Sequence, residues 1–137
     1  MRTIRAFIER GRDGTYSVYT DVAGDKMTYA VNGGGNTAKE AVDDFYGGYA
    51  AMKSYYQEVG KPFEEVEFEF HYDMASFLSY YSKVITLSGL EQLTGVNQRQ
   101  LSHYATGRKR PRPAMVKKIE DALKKFSADI GQVHFSA

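Results

Sequence analysis

The 137-residue chain contains no cysteine, which excludes disulfide bonds and metal sites built on thiolates. It has no run of 18 apolar residues, so no segment has the pattern of a membrane-spanning helix. The first residues, Met1 to Arg5, lead into an alternating pattern and lack the apolar core of a secretory signal. From these absences we expect a cytoplasmic protein with no membrane partner.

The charge that is present divides the chain into two halves of opposite sign. Residues 1–73 carry 8 Lys/Arg and 13 Asp/Glu, a formal charge of −5, whereas residues 74–137 carry 10 and 4, a formal charge of +6. Such an asymmetry indicates two domains with different partners. The basic half suits a polyanion, and the acidic half suits a basic protein.

The first half has the period of β-strands, interrupted by one helix. Alternating side chains and turn signals predict strands at residues 2–10, 15–20, 27–31 and 64–72, the third of them short. The turn after the first strand is Asp13-Gly14, a strong hairpin signal. The glycine run of residues 33–35 is predicted to break the pattern. This order is ββ(β)αβ.

The helix between the last two of these strands is predicted to begin at Thr37 and to end near Gly60. The Thr37 hydroxyl and the Glu40 carboxylate have the spacing of a capping box. Gly47 and Gly48 lie inside the helix, where each glycine costs about 1 kcal/mol relative to alanine. We therefore expect close packing there against a sheet or against a second chain.

The second half has the helical period. Asp73 is predicted to cap a helix over residues 74–84, Ser88 and Glu91 form a second capping box, and a long helix runs from about Arg112 to Ile130. The sequence thus predicts an α+β protein. A ββ(β)αβ domain occupies residues 1–72, an all-α domain of four to five helices occupies residues 73–130, and residues 131–137 form a tail.

The most informative segment is residues 90–111, where two short helices are joined by a tight turn. Gly95 ends the first helix, where the backbone needs a positive φ angle, and Val96 is buried in the turn. Asn97 caps the second helix, Leu101 points inward between the two helices, and Gly107 ends the second one. The pattern predicts a helix-turn-helix.

The outward side chains of the second helix are those that reading base edges requires. Arginine bridges the two acceptors of guanine, glutamine pairs with adenine, and the first residues of the second helix lie over the bases. The predicted base-reading residues are Gln98, Arg99, Gln100, Ser102 and His103. Basic side chains and helix N-termini hold phosphates. The predicted phosphate-binding residues are Ser88, Gly89, Asn97, Thr106, Arg108, Lys109, Arg110 and Arg112.

This segment resembles the helix-turn-helix of the phage-repressor (Cro/cI, or XRE) superfamily over about 50 residues. The resemblance rests on Gly95-Val96-Asn97-Gln98, Leu101-Ser102 and Gly107-Arg108-Lys109, followed by Pro111. It departs from the superfamily at Glu91, where alanine is usual. The resemblance implies a transcription regulator that binds a double-stranded operator. The expected form is a homodimer or higher homo-oligomer, whose recognition helices lie about 34 Å apart.

The first half resembles the HicB antitoxin family, which carries Gly-Asp/Asn-Thr-x-x-Glu-Ala at the start of its helix. Here the motif is Gly35-Asn36-Thr37-Ala38-Lys39-Glu40-Ala41. The resemblance implies a partial RNase H-like domain that neutralises a small basic HicA-type RNA-cleaving toxin. The complex would then repress its own operon. An acidic surface would complement such a toxin. Its candidate residues are Asp43, Asp44, Glu65, Glu67 and Glu69.

The sequence predicts no catalytic residue, no metal ion and no cofactor. A nuclease of the RNase H type needs several carboxylates around a divalent metal, and only Glu9 lies suitably on the first strand. The histidines, His71, His103 and His134, lie on different elements.

Two other functions remain open. One is a repressor whose first domain dimerises or senses a ligand, and the other is a protein-interaction module without DNA affinity.

Overall fold

The computed structural model describes residues Met1–Ala137. The chain divides into two compact units, Met1–Ser76 and Phe77–Ala137. The first contains a four-stranded sheet and a long helix, and the second is helical. The predicted α+β class is therefore confirmed. None of the helices combines the length and the apolar character needed to cross a membrane.

The first unit consists of β1 (Arg2–Arg10), β2 (Tyr16–Thr20), β3 (Asn32–Gly35), α1 (Ala38–Glu58) and β4 (Val66–Tyr72). The strands lie in the order β3-β2-β1-β4, and β4 runs parallel to β1 while the other pairs are antiparallel. Two parallel strands must be joined by a crossover connection, and the connection from β1 to β4 includes α1. The predicted ββ(β)αβ order is confirmed.

The core of the first unit lies between one face of the sheet and α1. Ile4, Ala6 and Ile8 are buried on β1, as their alternation predicts. From α1, Phe45 is fully buried, and its ring meets that of Phe68 edge to face, with centroids 4.7 Å apart. The opposite face of the sheet carries the exposed charged side chains of β1 and β4.

The predicted third strand was wrong in position, since the strand is formed by Asn32–Gly35 and not by residues 27–31. Val31 is buried without belonging to the strand. A Cβ atom added at Gly33 would lie 2.4 Å from the carbonyl oxygen of Ala41 and from the amide nitrogen of Phe45. At Gly35 an added Cβ would lie 2.6 Å from the Cβ of Glu40. The strand therefore needs glycine at residues 33 and 35, because α1 crosses directly over them and leaves no room for a side chain.

Helix α1 begins at its predicted cap, where the Thr37 hydroxyl accepts the Glu40 N–H at 3.1 Å. The Glu40 carboxylate reaches back to the N–H of Asn36 at 2.8 Å, one residue beyond the position that a capping box implies. Close packing against the sheet is present at Gly48, whose added Cβ would meet the Asn32 carbonyl at 3.2 Å. Gly47 has nothing within 4 Å in this chain, so packing there against a second chain stays a prediction.

The division between the two units falls within α2 (Met74–Tyr81), which precedes α3 (Leu87–Thr94), α4 (Gln98–Ala105) and α5 (Pro113–Gly131). The predicted cap of α2 is present, because the Asp73 carboxylate accepts the Ser76 N–H at 3.1 Å. This helix ends at Tyr81, three residues earlier than predicted. The tail after α5 is exposed and contains no strand.

Candidate nucleic-acid interface

Helices α3 and α4 are joined by the three-residue turn that the sequence predicts. Gly95 has a φ angle of 75° and donates its N–H to the Glu91 carbonyl at 2.8 Å, which ends α3. The Thr94 hydroxyl donates to the Leu90 carbonyl at 2.7 Å and accepts the Val96 N–H at 3.1 Å. These bonds hold the turn in one geometry and so fix the direction in which α4 leaves it.

The inner side of α4 packs on the core of the second unit. Leu101 is fully buried, and Tyr104 is buried one turn later. Leu90 and Ile119 are buried on α3 and α5. The Tyr104 hydroxyl accepts a hydrogen bond from the side-chain amide of Gln100 at 2.8 Å. The burial of Leu101 and Tyr104 assigns the opposite side of α4 to solvent, because helix faces repeat every 3.6 residues.

The predicted cap of α3 was wrong, because Thr86 and not Ser88 caps this helix. The Thr86 hydroxyl accepts the Gly89 N–H at 3.0 Å. Ser88 and Gly89 therefore lie within the first helical turn. The motif Thr86-x-x-Gly89 lacks the acid that marks a capping box, which is why the sequence pattern favoured Ser88 with Glu91. The Gly89 amide is already paired, so it is not free for the phosphate contact predicted there.

Glu91 has a different role from the predicted one, since it links the two helices. Its carboxylate accepts the N–H of Gln98, the first residue of α4, at 2.8 Å. The predicted cap Asn97 accepts the Gln100 N–H at 2.8 Å. The backbone amides of Gln98 and Gln100 are therefore occupied, and among the first three residues of α4 only the Arg99 amide is left to bind a phosphate. The N-terminus of α4 thus offers fewer phosphate contacts than the sequence predicts. A carboxylate at a helix N-terminus is itself favourable.

The structure places the five predicted base-reading residues at different depths. Gln98, Arg99 and Ser102 are exposed on the outer side of α4. Gln100 is half-buried and hydrogen-bonded to Tyr104, as described above. His103 is half-buried, and its burial, followed by the positive charges of Lys109, Arg108 and Arg99, lowers its pKa below the ordinary value. The exposed residues form one continuous outer surface, and the other two lie at its edge.

The predicted phosphate-binding residues after α4 form an exposed basic loop, which comprises Arg108, Lys109, Arg110 and Arg112. No carboxylate lies within ion-pair distance of any of the four. The loop is anchored where the Lys109 N–H donates to the His103 carbonyl at 3.2 Å. The Thr106 hydroxyl also donates to the His103 carbonyl, at 3.3 Å, so only its oxygen lone pairs remain available.

The basic loop leads directly into the N-terminus of α5, which the sequence pattern did not single out. Arg112 occupies the cap position with no side-chain hydrogen bond to the helix, and Pro113 follows as the first helical residue. Proline has no N–H, and the Met115 N–H donates to the Arg112 carbonyl at 2.9 Å, so only the Ala114 amide is left free beside the basic side chains of the loop. The signal for this arrangement was Pro113, because proline is favoured at the first position of a helix.

A comparison with protein families matches the helix-turn-helix family model to residues 85–129. The matched segment contains α3, α4 and most of α5, about a third of the chain. No curated protein and no solved structure matches the chain. The family match confirms the predicted XRE-type helix-turn-helix in the second half, and it supports a regulator of transcription that binds double-stranded DNA.

Proposed function

We propose that the chain is a repressor of its own gene that reads an operator with the outer surface of α4. The observation that carries this proposal is the exposure of Gln98, Arg99 and Ser102 on a helix whose inner side is anchored by buried Leu101 and Tyr104. Such a helix can enter the major groove without rearrangement of its support. The first two of these residues stand at the start of the helix, where this class of protein contacts base edges.

The direct test is a titration of the purified chain against DNA from immediately upstream of its own gene and against random DNA, each at two salt concentrations. We expect tighter binding to the upstream DNA, with the preference retained at the higher salt. Equal, salt-sensitive binding to both DNAs would contradict sequence-specific regulation, since it reports phosphate contacts alone. Absence of binding would favour the protein-interaction module.

The basic loop is expected to bind phosphates regardless of base sequence. Replacing Arg108 and Lys109 by alanine should weaken binding to both DNAs and reduce the salt slope by roughly 2, about 1 for each lost phosphate contact. The measurement is the observed binding constant as a function of salt concentration. The matched control replaces Lys124 and Lys125 by alanine, which removes two positive charges from exposed positions on α5, away from the loop. An equal change of slope in both variants would refute the assignment of the loop.

We further propose that the first unit binds a small basic toxin of the HicA type and that the chain is its antitoxin. The excess of acidic residues in the first half supports this proposal, as does the ββ(β)αβ order that the HicB resemblance implies. Among the candidate acids, Asp43 pairs with Lys39 at 2.9 Å, and Asp44 accepts the Gly34 N–H at 2.9 Å. Glu67 on β4 is exposed and has no ion pair.

Charge reversal on β4 tests the antitoxin proposal. Replacing Glu67 and Glu69 by lysine should slow association with the small basic protein encoded beside the gene by about tenfold or more, because complementary charge mainly accelerates encounter. Reversal of Glu120 and Asp121 on α5 makes the same change in net charge and should leave the rate unchanged. If no neighbouring basic protein binds, the first unit instead serves dimerisation or ligand sensing.

A further inference from the structure

The outer face of the sheet, which points away from α1, carries a row of three rings. Phe7 lies on β1 between Tyr19 of β2 and His71 of β4, each at the same register position. The centroid of its ring is 5.7 Å from that of Tyr19 and 6.1 Å from that of His71. Phe7 and Tyr19 are half-buried, and His71 is exposed. The wet side of a sheet normally carries polar side chains, so a row of rings across three strands indicates a surface that binds something.

Two carboxylates are held at the two ends of this row by hydrogen bonds to its rings. The Tyr19 hydroxyl donates to Oε1 of Glu9 at 2.6 Å, and Nε2 of His71 lies 2.5 Å from Oε1 of Glu69. The bond to Glu9, followed by burial, raises the pKa of Tyr19 to about 12, so this hydroxyl keeps its proton at neutral pH. The second oxygen of each carboxylate, Oε2, makes no hydrogen bond or ion pair. Each end of the row therefore has a free acceptor in a fixed position.

One guanidinium of the chain itself already lies on the middle ring of the row. The guanidinium carbon of Arg5 is 5.5 Å from the centroid of the Phe7 ring, within the range of a cation–π contact. Its Nη2 is also 3.8 Å from Oδ1 of Asp25. Arg5 thus combines a ring with a carboxylate. The rings of Tyr19 and His71 have carboxylates beside them, but no cation of the chain lies over either ring.

The charge around the row favours a cationic partner. Among the strand residues of the outer face, the carboxylates of Glu9, Glu67 and Glu69 are opposed by the guanidinium of Arg5 alone. A single-stranded nucleic acid could stack its bases on the rings, but its phosphates would meet this negative charge. The same face of a second copy would also meet a like charge. A basic protein segment meets neither obstacle, because its charge complements that of the face.

We propose that the row formed by Tyr19, Phe7 and His71 binds an arginine-bearing segment of a basic protein. A guanidinium of the partner stacks on the ring of Tyr19 or His71 and donates to the free oxygen of the carboxylate beside that ring. Arginine is favoured over lysine because its planar fork can stack and donate hydrogen bonds at the same time. The inference rests on the proposed function in one respect, that the partner of the first unit is a basic protein. It adds the surface and the side chain by which that partner is held.

The test uses the full chain and two labelled peptides of equal length and charge, one alternating glycine with arginine and the other alternating glycine with lysine. Fluorescence anisotropy at low salt measures both affinities. We expect the arginine peptide to bind about fivefold more tightly, which is the effect of one cation–π contact at an exposed site. Replacing Phe7 and Tyr19 together by leucine should abolish this preference, because apolar surface remains while the rings are lost.

The matched control replaces the same two residue types at exposed positions elsewhere, Tyr55 and Phe135, by leucine and should keep the preference. Circular dichroism should show that both double variants fold. A second variant leaves the rings in place and changes only exposed side chains, Glu9→Gln with Glu69→Gln. It should weaken binding of the arginine peptide more than binding of the lysine peptide, because the free acceptors lose their charge.

Equal affinity of the unmodified chain for the two peptides, no binding of either, or a preference that both double variants of the row retain would overturn the proposal. It would also be overturned if a single-stranded RNA oligonucleotide bound more weakly to the leucine variant of the row than to the unmodified chain, because the rings would then stack bases. The peptides do not depend on the neighbouring gene. A failure of its product to bind therefore counts only against the antitoxin function.

Discussion

Replacing Gly33 by alanine is expected to destabilise the first unit by about 3 kcal/mol or more, at the upper end of what overpacking costs. The added Cβ would lie 2.4 Å from the Ala41 carbonyl oxygen and from the Phe45 amide nitrogen. Both are backbone atoms of α1, so no side chain can rotate to relieve the clash. The helix would have to move away from β3, and this would uncover the fully buried Phe45 ring.

The neighbouring glycine provides the control for this prediction. At Gly34 the nearest atom to an added Cβ is the Tyr16 carbonyl oxygen at 3.7 Å, an ordinary contact. Alanine there restricts the unfolded chain by the same amount as at Gly33, so the difference between the two variants isolates the clash. Urea unfolding, monitored by circular dichroism, measures this difference in stability. Equal midpoints for Gly33→Ala and Gly34→Ala would show that α1 does not press on β3 as described.

The same glycines show why part of the fold could not be predicted from the sequence. The alternation around Ile4 and the Asp13-Gly14 turn locate β1 and β2, because burial of one sheet face determines the pattern locally. For β3, a run of glycines has weak strand propensity and signals a break. Its place in the sheet is decided by pairing with β2 and by close contact with the backbone of α1, and a strand propensity does not include such tertiary contacts.

The candidate interface was more predictable, because its signals are local. Gly95, Asn97 and Gly107 set the ends of the helices by their own conformational preferences, and each lies where the pattern predicts. The bond from the Gln98 amide to Glu91 spans seven residues and two helices. It depends on the angle between the helices, so no capping pattern predicts it. The base-reading roles themselves stay predictions until DNA binding is measured.

Replacing Gln98 and Arg99 together by alanine is expected to remove most of the preference for the operator while weak binding to any DNA persists. A good pair of hydrogen bonds to one base contributes about 1–3 kcal/mol of discrimination. The loss of two such pairs lowers the ratio of specific to nonspecific affinity by roughly 30-fold at least. Both side chains are exposed, so the variant should fold normally, as its unfolding midpoint would verify.

Arg99→Lys separates the reading of a base from the attraction of phosphates. Lysine keeps the positive charge but lacks the planar fork that bonds to two acceptors at once. If Arg99 reads a guanine, the lysine variant should retain the salt slope of the unmodified chain and lose much of its preference at one base pair. Arg99→Ala should lose the same preference and, because it also removes a positive charge, lower the salt slope by about 1 at most. Competition binding against operators substituted at single positions measures this difference. If Arg99→Lys kept the full preference, Arg99 would act as a charge beside the groove, and discrimination would have to come from Gln98, Ser102 or the shape of the DNA.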